Sequence, residues 1–481
     1  MLSIGKLGIG QERYYLDQVA EGAEDYYSGE GEAEGQWLGD AAKDLGLDGA
    51  VEADQLTAML TGHNPATGEP LGLRAVGGRG AVPGFDLTFS VPKSASLLWA
   101  LGDAKTSAAV TAALDRSLDA ALGYLQREAC WTRRGADAEF VRGNGFLAAG
   151  YRHRSSRNGD PQVHVHALVA NATQGPDGKW TRLYHPAIYE HAKTAGYVFE
   201  AQFRQELTQS LGTRWQAVRN GIAEIGGFDD AHLRAFSTCR AEIIEAAGPG
   251  ASARSRQIAT LTTREAKEQG IGSADLRQRW HEQAEGIGLD LSTVWIGERT
   301  PDSPALTVER IDLAVTEGVS HFDRRDVIQA VAGLLQQGGE ATEIERTADA
   351  FLSSDAVLPI SEGTKEPRFT TRRIWELERK ALATAERMRS QGVPPAGELI
   401  AARVIRSRPT LKADQREMVR RLLSSAEGVT VVIGEAGTGK TYAIVAAAEG
   451  WAQAGIELRA AAPTWRAAAP SPVSAPCPRR W

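Results

Sequence analysis

The 481-residue sequence is poor in cysteine, with only Cys130, Cys239 and Cys477. They are too few and too far apart for a disulfide scaffold or a cysteine-based zinc site. No apolar run approaches the ~20 residues of a membrane span, so membrane insertion is not expected. The opening residues, Met1 to Arg13, hold no apolar core long enough for a secretion signal. No repeat marks a solenoid. An excess of positive charge is missing too: the formal net charge is −7, which argues mildly against nucleic-acid binding by bulk charge. Segregated charge escapes that argument. Basic residues gather at Arg133-Arg134, at Arg152, Arg154 and Arg157, and at Arg254, Arg256 and Arg264, with Lys93 in addition. Such clusters can line a groove for a single strand, although any one of them alone reads more simply as solvated surface. The length corresponds to about three domains.

Histidine is scarce as well, yet three of the nine fall within the fourteen residues from His153 to His166. Val163, Val165 and Ala167 alternate with His164, His166 and Leu168, the period of two of a half-buried strand. Residues i and i+2 share a face, so His164 and His166 project side by side. Gly145 to Tyr151 also reads as a strand, and Ser155 to Pro161 between them is rich in turn formers. An antiparallel hairpin then returns His153 to the pair. Three imidazoles on one face suit a divalent cation with positions left for a substrate; solvated or core histidines are the plainer alternative.

Four of the ten tyrosines form two tandem pairs, Tyr14-Tyr15 and Tyr26-Tyr27, in an acidic, glycine-rich stretch. Tandem tyrosines suit a stacking platform for nucleobases or a nucleophile. A phenol attacks well only when a base takes its proton and a metal draws charge from the phosphate. Phe85, Leu87 and Phe89 alternate with Asp86, Thr88 and Ser90, which puts Asp86 on the polar face of a strand. There it is a base for a tyrosine, a partner to a metal-binding imidazole, or an ordinary strand-edge aspartate. Lys93 and Ser94 follow at a helix start, where a cation and free N–H groups suit phosphate.

Taken together and in this order, the early paired tyrosines, Phe85 to Ser94, and His153 through Asp160-Pro-Gln-Val-His164-Val-His166 resemble the relaxase domain of MobF-class conjugative relaxases, the TrwC/TraI type. Ile258 to Lys267 followed by Trp280 is similar to the helical end of that domain. The resemblance covers the first ~290 residues. It implies an α+β fold in which a central antiparallel sheet, the palm-like HUH fold, is flanked by helices. It implies a bacterial cytoplasmic enzyme that nicks one DNA strand at a transfer origin and keeps a 5′-phosphotyrosyl link. Tyr14 would be the main nucleophile, with Tyr15 beside it. Tyr26, paired with Tyr27, would serve a second strand transfer, and Asp86 would accept the proton. His153, His164 and His166 would hold Mg²⁺ or Mn²⁺ in the cell, with Zn²⁺ or Ni²⁺ also suited by softness. From the basic clusters above, and not from the resemblance, Lys93, Arg152, Arg154 and Arg157 are the candidate DNA contacts. Implied partners are single-stranded or hairpin DNA at the origin, a type IV coupling protein and accessory DNA-bending proteins.

A second signal is Gly434-Glu435-Ala436-Gly437-Thr438-Gly439-Lys440-Thr441, which fits the phosphate-binding loop. Val429 to Ile433 before it reads as a strand and Tyr442 to Glu449 after it as a helix. The loop N–H groups would cradle phosphates, Lys440 would reach the outer ones and Thr441 would hold Mg²⁺. Leu411 to Gln415 resembles the adenine-reading segment of superfamily 1 helicases, with Gln415 as the reader, and Leu458 to Thr464 resembles their next motif. After Thr441 the only acidic residues are Glu449 and Glu457. This reads as the start of a RecA-like helicase domain cut short, a site for ATP without hydrolysis. Between the two signals, Ala104–Cys130, Pro186–Leu211, Val308–Gln337 and Thr370–Arg389 read as helices, with Ser353 to Phe369 as a break. The expected domains are a relaxase over 1–295, a helical linker and helicase front over 296–400, a partial P-loop domain over 401–468 and a disordered tail over 469–481.

Two other functions remain open on the sequence. A rolling-circle replication initiator uses the same histidine and tyrosine chemistry, but tyrosines ahead of the histidines in chain order favour the relaxase. A non-catalytic single-strand-binding remnant is the other.

Overall fold

The structure, a computed structural model, describes residues 1–8, 35–73, 82–135, 137–156, 158–248, 273–297, 304–361, 367–435 and 437–459. It divides into two compact units, Met1–Thr371 and Arg372–Trp481.

The first unit is built on a five-stranded antiparallel sheet: β1 (Leu2–Lys6), β2 (Gln36–Leu38), β3 (Gly84–Ser90), β4 (Ala148–Ser155) and β5 (Pro161–Ala170), in the order β1-β3-β5-β4-β2. Alternation along the strands gives the sheet two unlike faces. Phe85, Leu87, Phe89, Val163, Val165, Ala167 and Val169 are buried in the main core. That core is completed by helices α1 (Lys93–Leu101), α2 (Ala104–Ala129) and α3 (Pro186–Leu211). The two long helices begin where the sequence predicts: Asp103 caps α2 by accepting the Thr106 N–H at 2.8 Å, and Pro186 opens α3.

The opposite face carries Asp86, Thr88, His153, His164 and His166, and further along the strands a smaller dry cluster of Ala149, Tyr151, Leu168 and Ala170. The reading of Gly145 to Tyr151 as a strand is displaced in the structure, where β4 starts at Ala148 and runs on through His153 to Ser155. The turn behind it is tied internally. Ser156 N–H donates to the Asp160 carbonyl at 2.7 Å and Gly159 takes the left-handed conformation. The buried Asp160 carboxylate accepts from the Thr238 N–H at 2.9 Å and from its hydroxyl at 2.8 Å.

The single helix expected over Val308–Gln337 is two, α4 (Val308–Val315) and α5 (Arg324–Leu334). Gly318 at φ 75° breaks it, and Asp323 caps the second piece. With α6 (Ala341–Leu352) and the hairpin Val357–Ser361/Arg368–Thr371 they complete the first unit. Arg204 of α3 is fully buried beneath them, donating to the carbonyls of Gly221 and Ala332, each at 2.9 Å, and of Leu335 at 3.3 Å.

The second unit holds four helices, α7 (Arg372–Gln391), α8 (Glu398–Ser407), α9 (Ala413–Ser424) and α10 (Lys440–Gln453). Its small core joins Ala401, Val404, Leu411, Val419 and Leu423 to Ala443, Ala446 and Ala447. The strand predicted over Val429–Ile433 does not form. Val431 is 77% exposed and Ile433 92%. A parallel strand is stable when neighbours bury both its faces, and the described residues of this unit contribute no strand to pair with it.

Candidate metal centre and phosphate loop

The hairpin registers His153 directly opposite His164, and His166 lies two residues further along β5. The three rings approach one another with centroids 5.2 Å apart for His153–His164, 4.9 Å for His153–His166 and 5.1 Å for His164–His166. One ligand nitrogen from each lies within 4.8 Å of the others.

Hydrogen bonds fix which nitrogens these are. His164 Nδ1 lies 2.8 Å from the Gln162 carbonyl, which can only accept, so Nδ1 carries the proton and Nε2 its lone pair. His166 Nδ1 donates to the Asp86 carboxylate at 2.8 Å, with the same consequence. The Thr88 hydroxyl donates to Asp86 Oδ1 at 3.1 Å and steadies it. Carboxylate–histidine pairs of this kind orient a ligand ring and raise its basicity. Burial and the two neighbouring imidazoles hold His153 down to about 2, and burial with His166 pushes His164 down to about 4. Both are therefore neutral near pH 7, as metal ligation requires. The donor set, three neutral imidazoles on a rigid two-strand frame, fits one divalent cation with positions open for substrate oxygens.

The other predicted site residues divide by position. Asp86 sits on the histidine face, as its alternation predicts. Arg152 and Arg154 flank His153 and so face the other way. Arg152 donates to Asp115 of α2 at 2.6 Å, and the Arg154 guanidinium lies 5.6 Å from the centre of the Trp99 ring. Lys93 and Ser94 do start a helix, but Lys93 Nζ donates to the Pro161 carbonyl at 2.7 Å. The Ser94 N–H donates to the Glu224 carboxylate at 2.9 Å. An anion site at that helix start is thus already filled by a carboxylate of the chain itself, and burial lowers the Lys93 pKa. Tyr14, Tyr15, Tyr26, Tyr27, Arg157, Ala436 and the segment 258–267 lie outside the described residues. Thr88 and Glu224 escaped the sequence reading. Thr88 stands two residues from Asp86 on one strand face and was open to the same alternation argument; Glu224 carried no local signal.

In the second unit Lys440 begins α10 behind Gly437 and Gly439, both at φ 80°. Its ammonium donates back to the Gly434 carbonyl and, at 2.6 Å, to that of Glu435. Gln415 Nε2 donates to the Thr438 carbonyl at 3.0 Å, which ties α9 to the loop. Glu449 is ion-paired with Arg408, and Glu457 with Arg459 at 3.3 Å.

Comparisons with known proteins agree with this layout. A family model described as TrwC relaxase matches residues 9–287, and one described as AAA domain matches residues 410–470. The multifunctional conjugation protein TraI of Escherichia coli is 28% identical over 386 residues, which are 74% of this chain and 21% of that protein. TraI of strain K12 is 29% identical over 374 residues, 72% of this chain and 20% of that one. The chain thus spans about a fifth of the length of these curated relatives. Among solved structures, the conjugative relaxase TrwC in complex with oriT DNA superimposes in a copper-bound form with a TM-score of 0.53 at 28% identity. That match covers 60% of this chain and all but 1% of the other (99%). A metal-bound form of the same complex gives 0.52, also at 28% identity and with the same coverage. More than half of the chain falls within one family model, and that part contains β2 to β5 of the sheet with the three converging histidines: the chain belongs to the TrwC relaxase family.

Proposed function

We propose that this chain is a conjugative relaxase, which cuts one DNA strand at a transfer origin and stays joined to the new 5′ end. The observation that carries the reading is the trio His153, His164 and His166, with the Nδ1 of two rings already engaged so that Nε2 is left for a cation. A divalent cation bound there, Mg²⁺ or Mn²⁺ in the cell, supplies Lewis-acid polarisation of the scissile phosphate. The phenol oxygen of Tyr14, assigned by its place in the first tyrosine pair, attacks phosphorus as the P–O3′ bond breaks. The phenol proton passes to Asp86, which the family resemblance makes the acceptor, and the same proton is then given up to the departing 3′ oxygen, which leaves as a hydroxyl and restores the carboxylate. Tyr26 serves a second transfer of the same kind. The substrate is single-stranded or hairpin DNA at the origin, as in the TrwC complexes with oriT DNA. The partners are a type IV coupling protein and DNA-bending accessory proteins.

For the second unit, we infer phosphate binding by Gly434 to Thr441 with Gln415 reading adenine, and no hydrolysis or unwinding. The exposed Val429–Ile433 segment and the arginine-paired Glu449 and Glu457 support that reading. We retain 1–295 as the nicking domain and 401–468 as a partial nucleotide-binding domain.

The test is incubation with a supercoiled plasmid bearing the cognate origin. Nicked product with protein on one 5′ end is expected, and Tyr14→Phe should abolish the covalent adduct while binding persists. An adduct at wild-type level that maps to Tyr15 or Tyr26 would overturn the assignment of Tyr14. Absence of any nick with the wild-type protein would overturn the relaxase reading itself.

A further inference from the structure

On the far side of α3 from the sheet, the docked α4–α5 region borders a wide, open cavity of about 770 Å³. Its size is that of small-molecule sites, about 300–1,000 Å³. It lies wholly within the first unit and uses none of the groups assigned to nicking. One wall is Tyr197, half-buried on α3. A Cβ on Gly221 would sit 2.8 Å from the Tyr197 ring, so only glycine there lets the turn close over the ring edge. On the opposite edge, a Cβ on Gly333 of α5 would come to 3.9 Å from the ring, ordinary contact distance. The ring is therefore held in place at the cavity wall.

One helical turn earlier, Lys193 presents its ammonium 5.7 Å from the centre of that ring. The ion pairs among the described residues include none to Lys193. Across the cavity stand His321 and Arg368, the latter at the 4.0 Å limit of ion pairing with Asp323. A fixed aromatic face with cations near it, and apolar Val218 and Val319 in the lining, is the combination that holds a base by stacking and a phosphate by charge; the lining carboxylate, Asp326, accepts from the Asp323 N–H at 3.0 Å.

We propose that this cavity binds a nucleoside phosphate, with the base against Tyr197 and the phosphate at Lys193 and Arg368. The ligand is either a free nucleotide or one nucleotide unit of a single strand passing over α3. It would be bound on the side of the sheet opposite to the histidines.

The test uses the full chain in a Lys440→Ala background, which removes the phosphate loop as a competing site. Deoxythymidine monophosphate binding is followed by calorimetry. A 4-thiothymidine-containing 12-mer is crosslinked by light, and the attachment site is mapped by mass spectrometry. Lys193→Gln and Tyr197→Leu should each weaken binding about tenfold, the scale of one stacked base or one phosphate contact, while Tyr197→Phe keeps it. Crosslinking at Tyr197 identifies the strand as the source, and monophosphate binding without it identifies the free nucleotide. Binding of both probes that is indifferent to Lys193→Gln and Tyr197→Leu, or no binding of either, overturns the site. Origin nicking by the same variants should stay at wild-type rate, so a loss here and a failure of the relaxase reading are distinguishable.

Discussion

Residues 161–170, with valine at 163, 165 and 169, and residues 429–433, β-branched at every position, both read as strands from their sequence, and they meet opposite fates. The first pairs on both edges, with β3 and β4, and buries Val163, Val165 and Val169 under two long helices. The second has the higher local propensity, yet forms no strand and leaves Ile433 92% exposed. Strand propensity is a statement about fitting a pleated, half-buried surface. Where partners supply the surface, the segment becomes a frame rigid enough to aim three imidazoles at one point. Where they do not, the phosphate loop that follows has no strand behind it among the described residues.

The largest effect expected is at the rigid frame. His164→Ala removes a ligand whose tautomer is already fixed by Gln162. Lewis-acid assistance is worth several kcal/mol, so origin cleavage should fall by about three orders of magnitude, and one-to-one Mn²⁺ binding should vanish in calorimetry. Cleavage at full rate by metal-stripped wild-type protein in excess chelator would sink the metal's role.

A stability pair tests the comparison directly. Leu87→Ala opens a cavity in a fully buried position of β3 and should cost about 2–5 kcal/mol. Ile433→Ala removes a side chain that water already surrounds and should stay within about 0.5 kcal/mol. Chemical denaturation that reads the first unit's tryptophans for Leu87 and helicity of the second unit for Ile433 decides it. An Ile433 effect as large as that of Leu87 would mean the 429–433 segment is packed in solution after all.

The histidine hairpin was legible because two local signals coincide, a period of two and a turn-former cluster at Asn158-Gly159-Asp160. The structure puts Arg152, one residue before His153, on the opposite face against Asp115, although charge clustering had made it a candidate DNA contact. Helix boundaries at Ala104 and Pro186 were legible from a cap and a proline. The reach of the first unit to Thr371 was not. It rests on pairings more than a hundred residues apart, such as Arg204 with the Ala332 carbonyl and Gln329 with Thr194 at 2.8 Å, and no local pattern announces them. The strand expected over 429–433 failed for the complementary reason: its local signal is present, and the described residues of its unit offer no strand to pair with it.

A smaller effect separates the metal ligands from their support. Asp86→Asn keeps the size of the side chain but loses the charge that holds His166 Nδ1–H. The amide can still accept through its oxygen, yet the added N–H₂ competes for the same ring and for Thr88. Metal affinity should drop about 10–100-fold, as for other outer partners of metal-binding histidines. Unchanged affinity together with lost cleavage would show that Asp86 acts on the tyrosine proton and leaves the metal untouched.

The smallest effect is expected at the phosphate loop. Lys440 donates to the carbonyls of Gly434 and Glu435, so an incoming phosphate must displace those bonds before it gains the ammonium. The loop is anchored at one end by α10 and at the other follows an exposed segment, an arrangement able to bind phosphate weakly. Hydrolysis needs more: a second carboxylate near the metal and a cation on the leaving group. The two acidic side chains after Thr441 are instead held by Arg408 and Arg459. Lys440→Ala should therefore leave origin nicking unchanged, and DNA should stimulate no phosphate release above background from this 481-residue polypeptide. Unwinding of a tailed duplex by this polypeptide alone, abolished by Lys440→Ala, would show that the 429–433 segment does find its sheet and that the contrast between the two segments is wrong.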